Sequence, residues 1–263
     1  MAKPPHDTPL RIVSRAHAIL GAMIKPVFFT NFFEQKKAIE SLIRESRANT
    51  SFYLFLSIAA FISTLGFMVN NAVVISGGML VAPLLIPILS LGMGIAMSSM
   101  GAIGRAMKTL AKSVVTVFLI SFLTAFFLSG TGTAITEQMK FASDLNIITF
   151  LVAFASGIVA AYSVVKESTY SVLPSIAVTV SLLPPLSVVG IAASLFSKDL
   201  FASSFTLFLV NFLGIVVAST IVFALFGFSG LQSIQERRLA EEREEERRQR
   251  EMKEIVRHGG VRR

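Results

Sequence analysis

Six blocks of apolar residues, at about 51–69, 72–98, 109–129, 145–165, 170–196 and 200–228, alternate with short polar intervals along this chain. A membrane-crossing helix takes roughly 20 predominantly apolar residues, so each block predicts one span. The flanks differ in kind. Residues 1–50 mix basic and apolar positions, and residues 229–263 are dominated by charge. The pattern therefore divides the chain into an amphipathic N-terminal segment, 1–50, a membrane domain, 51–228, and a charged helical tail, 229–263. The predicted fold class is all-α and integral to a membrane.

The second block breaks the rule for an ordinary span. Its stretch SGGMLVAPLLIPILSLG (76–92) holds Gly77, Gly78, Pro83 and Pro87. A proline inside a helix loses a backbone donor and clashes with the preceding turn, at roughly 3 kcal/mol. A shift of 98 residues lays this stretch over the fifth block, where Leu84, Leu85, Pro87 and Gly92 meet Leu182, Leu183, Pro185 and Gly190. The second proline migrates, because Pro184 faces Ile86 and Ser181 faces Pro83. Both stretches are the middle members of three-span halves, 51–129 and 145–228. Three is odd, so the second half enters from the opposite side, which predicts two inverted three-helix repeats. Inverted-repeat transporters hold ions or substrate at discontinuous helices near the midplane. Blocks 2 and 5 are also long; a straight helix of their length would run about 40 Å, against a hydrocarbon core of roughly 30 Å. Breaks at the prolines of spans 2 and 5 would absorb the excess.

The flanking segments carry their own patterns. Over 10–47, basic residues alternate with Phe28, Phe29, Phe32 and Phe33. That composition suits a helix in the membrane interface, or equally a helix packed on the bundle. In the tail, Glu244 and Arg248, and Glu246 and Arg250, stand at i,i+4 in the favoured order. The heptad positions after Leu231 and Ile234 are Arg238 and Glu241, which excludes a coiled coil. A solvated helix is expected, with a homo-oligomer contact as the alternative.

Composition confirms the membrane class and orients it. The chain is 53% hydrophobic and 15% charged, with mean hydropathy +0.70, whereas a soluble domain is nearer 25% charged. Of its 24 Lys and Arg, eight lie in 1–50 and ten in 231–263. By the positive-inside rule both termini are cytoplasmic, as is the loop with Arg105, Lys108 and Lys112. The loop at 130–144, with Glu137, Lys140 and Asp144, falls outside. The net charge of +8 is thus a topological signal, and no nucleic-acid partner is expected. There are no cysteines, and His6, His17 and His258 lie outside the apolar blocks; no metal or cofactor is expected.

Residues 74–88, VISGGMLVAPLLIPI, resemble the signature of a prokaryotic membrane family known as domain of unknown function family 389. Gly77, Met79, Leu80, Ala82, Pro83, Leu84, Pro87 and Ile88 agree with its usual run, while Ser76, Gly78 and Ile86 depart from it. SLLPPLSVVGIA (181–192) resembles the second Pro-containing stretch of that family. The resemblance covers roughly 50–228 and implies the fold and the inner (plasma) membrane of a prokaryote. It implies no activity.

Ionisable residues are nearly absent from the spans, which disfavours a carboxylate-driven proton antiporter. Glu167 beside Lys166, and Lys198 beside Asp199, are expected to be solvated pairs at span ends. Ser171, Ser175, Thr179 and Ser187 lie close to one face of span 5, Asn211 lies near the middle of span 6, and Asn70–Asn71 precede span 2. Such groups coordinate cations or hydrogen-bond solutes, though membrane Ser and Thr often serve only their own i−4 carbonyl. Paired aspartates, a Ser/His pair, a zinc motif and a phosphate-binding loop are all missing, so an enzyme is not expected. Gly92 and Gly94, with the row Ala153, Gly157 and Ala161, suit close helix packing. The expected function is transport of a small ion or polar solute across the lipid bilayer. The expected site comprises Ser76, Gly77, Gly78, Pro83, Pro87, Thr179, Ser181, Pro184, Pro185 and Asn211. An oligomeric channel and a non-transporting scaffold or sensor are the alternatives.

Overall fold

The computed structural model describes residues 30–45, 49–128, 134–166 and 172–231, and in the tail Arg237, Ala240, Glu241, Glu244 and Arg248. Among these residues every regular element is helical: α1 (Phe32–Glu45), α2 (Thr50–Met68), α3 (Ala72–Val81), α4 (Leu85–Ala96), α5 (Met100–Leu128), α6 (Glu137–Phe141), α7 (Ile147–Lys166), α8 (Val172–Ser194), α9 (Lys198–Leu225) and a 3-10 turn (Phe228–Gly230). Helices α2, α5, α7 and α9 are long and apolar enough to cross a membrane. The pair α3 and α4, bent by 58° at its break, qualifies as a fifth span when taken together. These lengths mark the chain as a membrane protein. Helix α5 begins at Met100, earlier than its apolar block suggested, so Arg105, Lys108 and Lys112 lie on a helix rather than in a loop.

The two prolines of the second block sit where their missing N–H groups cost little. Pro83 disfavours helical backbone at the residue before it, and Ala82 is extended, with φ −74° and ψ 121°. Helix α3 therefore ends at Val81. Pro87 is the third residue of α4, where a backbone N–H has no intrahelical acceptor in any case. The prolines thus bracket a break instead of damaging a span.

The fifth block takes the other course. Contrary to the expected second break, α8 runs as one helix from Val172 to Ser194 with Pro184 and Pro185 inside it. Adjacent prolines withhold donors from only two carbonyls, those of Val180 and Ser181. The Ser181 oxygen receives a replacement from Asn211 Nδ2 of α9 at 2.9 Å. One neighbouring side chain thus takes over part of the lost ladder, and the helix continues.

Packing follows the logic of a lipid solvent. On α5 the buried row is Ala106, Leu110, Ser113, Val117, Ser121 and Ala125, while Val115, Leu119, Leu123 and Phe126 are exposed. Lipid gives helices no hydrophobic reason to associate, so small side chains and close backbones hold the bundle. Gly157 shows this: a Cβ there would lie 2.8 Å from the Ile215 carbonyl of α9. Ala153 and Ala161, on the same row, are buried. Gly78 fits against α2, where a Cβ would approach the Ala59 oxygen to 2.7 Å.

Two features repeat at the 98-residue interval. At Met97–Ser99 the amides of Met97, Ser98 and Ser99 donate to Met93, Ile95 and Gly94; at Leu195–Ser197 those of Leu195, Phe196 and Ser197 donate to Ile191, Ala193 and Ala192. Ser98 and Phe196 both have positive φ, 55° and 54°. The tight contacts are reciprocal as well. Gly92 of α4 abuts Ser219 of α9, and Gly190 of α8 abuts Ser121 of α5. Each residue of one pair lies 98 positions from its counterpart in the other.

Helix α1 is packed on the bundle. Ala38, Ile39 and Leu42 are buried, whereas Phe32 and Phe33 are exposed. Gln35 Nε2 donates to the Phe226 carbonyl at 2.7 Å. Lys166 Nζ meets Glu34 Oε2 at 3.1 Å, so Lys166 has a partner on α1; the pair expected with Glu167 lies outside the described residues. The Thr30 hydroxyl, then Lys166, hold the Glu34 carboxyl below its ordinary range. The expected helix over 10–29, Phe28 and Phe29 included, and the Glu246–Arg250 pair also lie outside the described residues. In the tail, Arg237, Ala240, Glu241, Glu244 and Arg248 are helical and exposed.

Gly190→Ala places a methyl 2.7–2.9 Å from Ser121 Cβ, the Phe118 oxygen and the Phe122 nitrogen, an overpacking that costs about 1–3 kcal/mol. Gly77→Ala meets nothing within 4 Å and removes an interior helical glycine, a gain of about 0.5–1 kcal/mol. Unfolding in mixed micelles is expected to show a lowered midpoint for the first variant and an unchanged or raised one for the second.

Candidate functional site

Each proline segment releases backbone acceptors, and α8, which carries the second, borders the first. On one side, Thr179 Oγ1 donates to the Ala82 carbonyl at the α3–α4 break, at 3.3 Å. On the other side, Asn211 serves the Ser181 carbonyl. An asparagine carries two kinds of group. Here Nδ2 is committed to a carbonyl, and Oδ1 is buried with no partner among the described residues. Asn211 as a whole is 3% exposed. A buried acceptor without a donor costs about 1–3 kcal/mol, so its persistence calls for an occupant or a purpose.

Asn211 lies in the wall of a cavity of about 440 Å³. The cavity is open on one side and bordered by residues of α3, α6, α7, α8 and α9, together with Phe67 of α2. Ser76, Ser181, Pro184, Pro185 and Asn211 line it, five of the ten residues expected from the sequence. No lining residue is ionisable, and among the described residues no cluster of His, Cys, Asp or Glu could hold a metal.

The other five expected residues stand elsewhere. Gly78 is a packing residue against α2, and Gly77 borders open space. Pro83 and Pro87 shape the break and are outside the cavity wall. Thr179 is fully buried, its hydroxyl given to the break. Ser76 reaches the cavity, but its hydroxyl donates to its own helix, at the Ala72 carbonyl, 2.9 Å. The predicted Ser/Thr stripe of span 5 is only partly visible: Ser171 and the Ser175 side chain lie outside the described residues, and Ser187 is buried. Asn70 and Asn71 are structural. Asn71 caps α3 through the amides of Val73 and Val74, and Asn70 Oδ1 accepts from the Gln138 amide at 3.1 Å.

That last bond exposes what the sequence reading missed. Gln138, Phe141 and Ala142, read as loop, form part of the cavity wall. The short helix α6 carries the first two, capped by Thr136, whose oxygen accepts from Met139 N at 3.3 Å. Thr136 also donates to the Phe67 carbonyl at 3.0 Å, which ties this wall to the α2–α3 turn. Thr136 followed by Glu137 is an N-cap signal that would have marked the helix.

Comparison with known proteins places the same region in a family context. The family described as "Domain of unknown function (DUF389)" matches residues 79–217. An uncharacterized protein of Methanocaldococcus jannaschii is 24% identical over 205 residues, covering 74% of this chain and 63% of the relative. The chain therefore spans less than two thirds of that relative's length. No solved structure matches the chain.

Replacing Asn211 with Leu removes the donor of a buried carbonyl, which costs about 1–3 kcal/mol. Ser76→Ala, at an exposed position whose hydroxyl serves only its own helix, should change stability by less than about 0.5 kcal/mol. Unfolding midpoints of the two variants side by side are expected to separate by this margin.

Proposed function

Because this chain belongs to the DUF389 family, whose name assigns no activity, we propose from the geometry that it is a membrane transporter for a small ion or polar solute. The observation that carries this reading is the buried Asn211 Oδ1 without a partner among the described residues, in the wall of a cavity of about 440 Å³ beside the Pro184–Pro185 segment. Helical prolines and polar side chains at membrane depth are tolerated where they line a cavity or are buried in protein. We propose further that the domain has six spans, α3 with α4 as the second and α8 as the fifth, arranged as two inverted three-helix repeats. The turns in common register and the reciprocal Gly–Ser contacts support this reading, since paired contacts of that kind are what a twofold axis generates. The paired breaks expected from the sequence are replaced by one break and one Asn-supported helix. Both termini then face the cytoplasm, and the membrane is the plasma membrane.

The absence of native cysteines allows a clean topology test. In intact cells, a membrane-impermeant maleimide is expected to label Asp144→Cys and Phe196→Cys but not Ser98→Cys, which the arrangement puts on the cytoplasmic side. Labelling of Ser98→Cys and Phe196→Cys from the same side would overturn the inverted arrangement.

Transport is tested by flux into proteoliposomes of the full chain, with a panel of monovalent ions and small polar solutes. Ser76→Phe fills the cavity without touching the Asn211–Ser181 bond. It is expected to lower the flux at least tenfold while leaving the unfolding midpoint near that of the parent. Equal flux in the parent and in the filled variant would remove this cavity from the pathway.

A further inference from the structure

The wall of the cavity carries few polar groups and no ionisable one. Its acceptors include Asn211 Oδ1 and the Val180 carbonyl, which Pro184 deprives of its i+4 donor. Two hydroxyls of the wall spend their protons within the protein: Ser76 on Ala72 O at 2.9 Å, and Thr149 on Asn146 O at 2.6 Å. Gln138 and Ser181 add two polar side chains, and the rest of the surface is apolar, with Phe67, Ile75, Met79, Ile148, Val152 and Leu207 prominent.

These features argue against a bare divalent cation as the resident species. Hard cations take six or more oxygens, usually with carboxylates among them, and no carboxylate lines this cavity. An anion would meet no cationic side chain. A cavity of about 440 Å³ instead falls within the range for organic ligands, about 300–1,000 Å³, whose sites are mostly apolar with a few placed polar groups.

Building on the transport reading, we propose that the solute is a small amphiphile, an apolar body carrying one N–H or O–H donor. The donor pairs with Asn211 Oδ1, and the apolar body lies against the Phe67, Ile75 and Met79 side. The Asn211 amide then serves twice, its Nδ2 keeping α8 continuous across the prolines and its Oδ1 reading the donor. One residue couples the integrity of the helix to recognition.

The test is thermal unfolding of the full chain in lipid nanodiscs with matched six-carbon probes: hexylammonium, 1-hexanol, hexanoate and hexane, with sodium and potassium chloride beside them. Ligands that bind only the native state raise the midpoint. A saturable rise of about 5 °C or more at a hundredfold excess over Kd is expected for hexylammonium or hexanol, and which of them acts identifies the donor. Hexanoate and the salts should leave the midpoint unchanged. The rise should vanish in Ser76→Phe and in Val152→Phe, a second filling variant at an exposed lining position. An equal rise with hexane would mean that no donor is read, and a rise that persists in both filled variants would mean that the probe acts on the bilayer; either overturns the proposal. If an ion gradient drives cavity-dependent flux while neither donor probe binds or competes, the transport reading stands and the amphiphile falls. If there is neither flux nor binding, both fall.

Discussion

A backbone carbonyl that loses its donor inside a membrane has no water to turn to, and the centre of this protein is organised around that constraint. Prolines at 83, 87, 184 and 185 withdraw donors in two neighbouring helices. The chain answers in two ways. At Pro83 it ends one helix and starts another at 58°, with the proline nitrogens at positions that have no helical acceptor. At Pro184 and Pro185 it keeps the helix and borrows an amide from α9. The two answers meet on α8, whose Thr179 also serves the open carbonyl of the first break.

This economy of donors shapes the cavity. Asn211 cannot support α8 and satisfy itself with the same atom, so committing Nδ2 leaves Oδ1 over. Many buried hydroxyls of the surrounding bundle are returned to their own helix, as with Ser113, Ser156 and Ser194, and among the described residues none donates to Oδ1. Close packing has the same origin. Where Gly92 meets Ser219 and Gly190 meets Ser121, backbones come together because dispersion and short polar contacts, not hydrophobic burial, hold helices in lipid.

The fold class and most helix positions were legible in the chain, since a 20-residue apolar block in a bilayer has little choice but to be helical. The small-residue row at Ala153, Gly157 and Ala161 was equally legible, and so was Asn211 as a polar residue out of place. Boundaries set by charge were less so: α5 carries Arg105, Lys108 and Lys112 on its first turns, because long cationic side chains let a helix continue past the apolar region. Helix α6 was hidden by its length of five residues, although Thr136 announced it.

Sequence alone thus determined a helical membrane protein, a repeat interval of 98 residues and the presence of four costly prolines, because these depend on local composition and backbone chemistry. Tertiary structure decided what each proline does. Pro83 and Pro185 have the same covalent defect, yet one ends a helix and the other does not. The difference is whether a neighbour offers a donor at the orphaned carbonyl. That depends on Asn211 reaching Ser181 across thirty residues of chain, a relation that no local pattern encodes.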